Sequence, residues 1–192
     1  MGQRGWPWLQ DRPRILEAAY SLTRRLILWA SPLLSKAGRP RLNGVFIPLE
    51  EITKKPVFGC RMCGQCILHS TGMTCPMTCP KELRNGPCGG VRQNGHCEVI
   101  PEMPCVWVQA WERSSLMGAT GAEILLVQPP VNRSLHGTSA WLNLLTGENN
   151  LAPAGWPITP NSQSPISNLK SLQNPHARNH PLLQNQDRDH RP

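Results

Sequence analysis

"CPMTCPKELRNGPCGG", residues 75–90, packs three cysteines, three prolines and three glycines into sixteen residues. Asn-Gly and Gly-Pro pairs make tight turns anywhere, but at this cysteine density "NGPCGG" around Cys88 reads better as glycines that let backbone N–H groups approach the sulfurs of a metal cluster. Turns alone do not account for the thiols. All eight cysteines of the chain lie within residues 60–105, at Cys60, Cys63, Cys66, Cys75, Cys79, Cys88, Cys97 and Cys105. That clustering decides how the rest of the sequence is read.

Disulfides, zinc sites and iron–sulfur clusters compete for these thiols. Disulfides require an oxidising compartment, and the only hint of export is paired arginines before an apolar patch that Pro32 and Lys36 soon interrupt. The expected compartment is the cytoplasm, where thiols stay reduced. Zinc fits Cys60-x2-Cys63 followed by Cys75-x3-Cys79, which resembles the paired knuckles of a four-cysteine site, with His69 or His96 as a stand-in for one thiolate. Both histidines read more simply as solvent-exposed loop residues.

Iron fits the local pattern better. "CRMCGQC" is the C-x2-C-x2-C run that holds three irons of a cubane cluster, and Cys75-Pro76 and Cys79-Pro80 both carry the proline that follows the fourth cysteine in bacterial ferredoxins. Eight residues separate Cys66 from Cys75, where three are expected, so the connectivity need not be that of a ferredoxin. Eight thiols suffice for two four-cysteine sites. One set would be Cys60, Cys63 and Cys66 with Cys75 or Cys79; the remaining thiols would form the second. The expected cofactor is one or two 4Fe-4S clusters, with zinc as the alternative.

Outside the cysteines the chain is less constrained. Its 192 residues cannot hold a barrel of about 250, and 39% apolar content with twenty prolines points to long irregular stretches. The charge of +8 is uneven: residues 1–41 carry eight basic and two acidic groups, an arm suited to an anionic surface. Between Arg14 and Leu34, Ile15, Ala19, Leu22, Leu26, Trp29 and Leu33 recur at helical spacing and predict an amphipathic helix, which either covers the protein's own core or docks on a partner or membrane surface. Gly38, Pro40 and Gly44 then suggest a hinge. Glu102–Leu116 and the segment from Ser139 to Gly147 read as helices. Trp107 is placed in the core, whereas Trp141, in a segment that looks ready to dock, is left open between core packing and a partner anchor. From Glu148 to Pro192 one aromatic residue stands among seven prolines and seven asparagines, too little apolar surface to offset the entropy of ordering.

The expected fold is a small irregular α+β, metal-stabilised, cysteine-rich domain with short helices, plus a helical N-terminal arm and a disordered C-terminal tail. Its boundaries fall at 1–45 for the arm, 46–147 for the cysteine-rich domain and 148–192 for the tail. No apolar run is long enough for a transmembrane segment. G-x-G-x-x-G, Walker and H-E-x-x-H motifs are absent, so no catalytic residue is assigned. Nucleic-acid binding is not expected, because basic and aromatic residues are not interleaved.

"FGCRMCGQCILHSTGMTCPMTCPKELRNGPCGG", "GHCEV", "CVWVQAW" and "PPVNRSLHGTSAWLNLLTG" together resemble the cysteine-rich C-terminal domain of methylenetetrahydrofolate reductases, also found as a separate small subunit of multi-subunit forms. The resemblance covers roughly residues 50–147, with Ala140 standing where the family often has a second serine. It implies an accessory role in one-carbon metabolism, with metal clusters relaying electrons to, or shaping the contact with, a separate flavin-containing barrel subunit. The alternative is a purely structural zinc-binding adaptor.

Overall fold

In the computed structural model, residues 7–34, 38–118 and 120–156 are described and fall in one unit. Among the described residues five α-helices follow in chain order: α1 (Pro7–Gln10), α2 (Pro13–Leu34), α3 (Arg39–Phe58), α4 (Val106–Leu116) and α5 (Ala140–Thr146). Between α3 and α4 the cysteine-rich chain runs through turns and two short 3-10 segments, Leu68–Ser70 and Pro76–Thr78.

The β component of the expected α+β class is not there: among the described residues no strand forms, and β pairing is limited to one isolated bridge between His96 and Pro104. The region lacks the alternating apolar pattern that gives a strand a face to bury. Prolines and glycines direct it into turns instead.

Local signals set the helix ends. Ser139 caps α5 by accepting from the Leu142 amide at 3.3 Å, and Gly147 ends it in the left-handed conformation with φ 77°. That helix lies where the sequence places it. The helix expected from Glu102 starts instead at Val106, because Cys97 and Cys105 are tied back by backbone bonds to Met103 and Gly95 at 2.9 Å each. The expected hinge is largely helix, as Pro40 sits in the first turn of α3, where a missing amide hydrogen costs nothing, and Gly44 lies inside it.

α2 forms over the predicted span but faces the other way. It buries Leu16 and Glu17, while Ile15, Leu22, Leu26, Trp29 and Leu33 of the predicted stripe are exposed, so the stripe does not cover the protein's own core. α3 is also turned inside out, burying Glu50 and Lys54 and exposing Val45, Leu49 and Ile52.

Polar bonds fasten the helices to the body. Arg113 of α4 is buried and donates to Gln10 Oε1 and Thr74 Oγ1 at 3.1 Å each, and it pairs with Asp11 at 3.1 Å. Glu17 accepts from the Gly118 and Thr120 amides at 2.9 and 2.8 Å. Residues 148–156, assigned to the disordered tail from composition, pack on this body: Glu148 pairs with Arg39, and Asn149 O accepts from Gln65 Nε2 at 3.0 Å. The remainder of that tail, 157–192, lies outside the described residues.

The apolar interior is small and divided. One cluster gathers Leu16, Leu68, Met73, Cys75, Met77 and Met117; a second joins Cys79, Cys97, Met103 and Val106; a third joins Cys105, Trp107 and Ala110. Every cluster contains a cysteine.

Candidate metal centre

The eight thiols fall into two sets of four. Cys60, Cys63, Cys66 and Cys75 line one small cavity, and Cys79, Cys88, Cys97 and Cys105 line another. Cys75 therefore completes the C-x2-C-x2-C set, and Cys79, four residues on, turns into the other. The short 3-10 turn Pro76–Thr78 divides them. All eight are free thiols. Each set lines its cavity together with other residues, and among the described residues no three His, Cys, Asp or Glu side chains are placed to hold one metal ion.

Backbone geometry prepares the first set. Met62 adopts φ 51° and Gly64 φ 73°, so the chain curls twice in seven residues and brings its thiols to one side. Three thiols accept an amide from two residues ahead: Cys60 from Met62 at 3.4 Å, Cys63 from Gln65, and Cys75 from Met77. An N–H directed at sulfur favours the thiolate.

That help is needed, because burial opposes ionisation. Burial pushes the Cys60 thiol up to about 11, and it raises Cys63 and Cys75 too, with the neighbouring thiols adding to the rise. A cation in the cavity is what would hold these groups as thiolates.

Two buried basic residues share this wall. Lys54 pairs with Glu50 at 2.7 Å and lies 4.9 Å from the centroid of the Trp141 ring. Arg84 donates from Nη1 to Gln65 O at 3.0 Å, yet its buried Nε finds no partner among the described residues. Burial lowers Arg84, and the charges of Cys63, Cys66 and Cys75 oppose that. A guanidinium buried without a carboxylate is stable only beside some other anion, and a set of metal-bound thiolates would be one. Four thiols beside a buried guanidinium with an unpartnered Nε have the donor chemistry of an anionic iron–sulfur or zinc group, while no three of the thiols are positioned to hold one ion.

The segment 132–151 wraps the first set from outside. Gly137 N donates to Met62 O at 2.8 Å, Asn143 Nδ2 to Gly64 O at 2.9 Å, and Asn132 N to Gln65 Oε1 at 2.6 Å. Gly64 itself is pressed close: a Cβ there would stand 2.3 Å from Leu135 O.

The second set is assembled differently. The His96–Pro104 bridge brings Cys97 and Cys105 together, and Cys105 sits at the N-terminus of α4, where the helix dipole favours negative charge. The Cys88 thiol donates to Glu98 Oε1 at 3.4 Å, and that carboxylate is paired in turn with Lys81.

Neither histidine lines either cavity. His69, far from being a solvated loop residue, stacks on Tyr20 at 5.5 Å, with Nδ1 3.3 Å from the Tyr20 hydroxyl and Nε2 3.4 Å from Glu123. His96 Nδ1 lies 2.7 Å from Pro101 O. Trp107 is buried as expected, with Nε1 donating to Leu83 O at 3.1 Å. Trp141 is not available to dock: it is buried against Tyr20, centroids 5.1 Å apart, and its amide donates to Glu50 Oε1 at 3.1 Å. Glu50, Lys54, Gln65 and Arg84 are the site residues that sequence reading misses, since nothing in their local pattern distinguishes a buried polar or charged side chain from a solvated one.

A family model described as methylene-tetrahydrofolate reductase C terminal matches residues 39–134, half of the chain. The match takes in α3 and all eight cysteines and begins after α2. Comparison with curated proteins and with solved structures gives no match.

Proposed function

The chain belongs to the methylene-tetrahydrofolate reductase C-terminal family, and on that premise we propose that it is an iron–sulfur accessory component of a reductase of this type, acting beside a flavin-containing barrel. The observation that carries the reading is the separation of eight thiols into two cavities of four each. Cys60, Cys63, Cys66 and Cys75 would hold one cluster, and Cys79, Cys88, Cys97 and Cys105 the other. Bound there, such groups supply one-electron transfer.

The chain's own residues do the rest. The Met62, Gln65 and Met77 amides direct N–H groups at the sulfurs, which stabilises negative charge on them. Arg84 and Lys54 place positive charge in the cavity wall, and Gln65, Asn143 and Gly137 fix the loop against the 132–151 segment. Lys81 beside Glu98 gives the second cavity a more balanced electrostatic wall than the first. Met62, Ile67, Leu68 and Met77 keep water from the first set. Because the aliphatic core is so thin, the metal also holds the domain together, and the reducing compartment this requires is the cytoplasm.

The deciding experiment is iron, acid-labile sulfide and zinc analysis of protein purified without oxygen, with an electron paramagnetic resonance spectrum after reduction. Iron and sulfide in matching amounts, with a cubane signal, support the reading. Colourless protein with stoichiometric zinc replaces it with a structural adaptor.

A further inference from the structure

α2 has the composition of a helix with something to cover. From Ile15 to Leu33 its outer face carries Ile15, Leu22, Leu26, Trp29 and Leu33, with Leu22 at 60%, Trp29 at 80% and Leu33 at 72% of full exposure. At 1.5 Å per residue this is a band about 27 Å long. Leaving so many large apolar groups in water is costly unless the face is used.

The charges on the helix narrow what can cover it. Its basic positions are Arg14, Arg24 and Arg25 within the helix and Arg12 just before it, with Arg14 Nε donating to Leu116 O at 2.8 Å; the one acid within the helix, Glu17, is turned inward onto the Gly118 and Thr120 amides, and Asp11 before it is paired with Arg113. At 100° per residue, Arg14 and Arg25 fall on one line along an edge of the apolar band, about 16 Å apart. A band of leucine, isoleucine and tryptophan edged by arginine, with no outward carboxylate within the helix and Asp11 before it neutralised by Arg113, matches an anionic lipid surface. It does not suit a second copy, which would set arginine against arginine. A barrel partner would be expected to meet the part of the chain that carries the family match, and α2 precedes that part. No described helix is long and apolar enough to cross a membrane, so α2 can lie only in the plane of the interface.

We propose that α2 is a lipid-surface anchor: its Ile15–Leu33 face enters the headgroup boundary of an anionic bilayer while Arg14 and Arg25 meet the phosphates. This holds whichever metal the thiols take.

The test is flotation of the full chain with vesicles of phosphatidylcholine containing roughly one third phosphatidylglycerol, and with phosphatidylcholine alone. The wild type floats with the anionic vesicles and releases as salt rises. Leu26→Glu abolishes flotation, and Arg25→Gln weakens it about fivefold. Both positions are exposed, so helicity by circular dichroism and metal content stay at wild-type values. Equal flotation of Leu26→Glu and wild type overturns the proposal. So does an absence of flotation with the anionic vesicles, and if Leu26→Glu then dissociates an oligomer or frees a co-purified protein, the face belongs to a protein.

Discussion

Lys54 and Glu50 form an ion pair at 2.7 Å on the inward face of α3, one turn apart and both buried. Glu50 also accepts from Ser139 Oγ and from the Trp141 amide, so a single carboxylate joins α3 to the start of α5. Removing one partner strands the other. Glu50→Gln is expected to destabilise the domain by about 3–5 kcal/mol in urea unfolding, and the double change Glu50→Gln, Lys54→Met by clearly less than the sum of the single changes. Additive losses would mean that the pair is not coupled.

Gly64 allows a second separation of causes. At φ 73° any side chain is strained, by about 1–2 kcal/mol, and at Gly64 a Cβ would also meet the Leu135 carbonyl at 2.3 Å. Gly137 has a similar φ of 80° with nothing within 4 Å of a built Cβ. Gly137→Ala should therefore show the strain alone. Gly64→Ala should lose more stability and displace the Cys60–Cys66 loop, read as loss of metal from one of the two proposed centres. Equal losses would show that Leu135 yields without cost.

His69 and Glu123 set opposite pH dependences. Burial, aided by Arg24 and Arg84, lowers His69 from 6.5 to about 4, while burial and the Glu17 charge raise Glu123 from 4.5 to about 7, against Arg24. The stability tied to neutral His69 is complete above pH 6.5 and is lost as pH falls towards 4; that tied to protonated Glu123 is complete below pH 4.5 and is lost as pH rises through 7. Between these limits both groups are mostly neutral, so their 3.4 Å contact is not an ion pair. Glu123→Gln should raise the melting temperature relative to wild type at pH 8 and gain little at pH 5. His69→Gln should flatten the fall on the acid side. A Glu123→Gln advantage that is larger at pH 5 would contradict the assignment.

Much of the candidate thiol site is legible before any coordinates. Eight cysteines in one segment, a C-x2-C-x2-C run and two Cys-Pro pairs point to the ligands, and Ser139 with Gly147 brackets α5 because caps act locally. Two things escape. Periodicity identifies α2 as a helix but not which side is covered, since the same stripe serves a core or an outside surface; the structure turns it outward. The tie of Cys75 to the first set and Cys79 to the second depends on the turn between them and on the wrap of residues 132–151, contacts made across more than sixty residues of chain, as when Asn132 meets Gln65. Local pattern carries no information at that range. The expected β component failed for a related reason: the fold of residues 59–105 is set by turns and cysteine placement, not by strand pairing.

The thiol grouping is tested most directly by iron content of paired serine variants prepared without oxygen. If the two cavities are separate sites, Cys60→Ser with Cys75→Ser removes about half the iron, no more than Cys75→Ser alone, whereas Cys75→Ser with Cys79→Ser removes nearly all of it. Iron unchanged by these substitutions, or the same partial loss from both pairs, would contradict two four-cysteine centres.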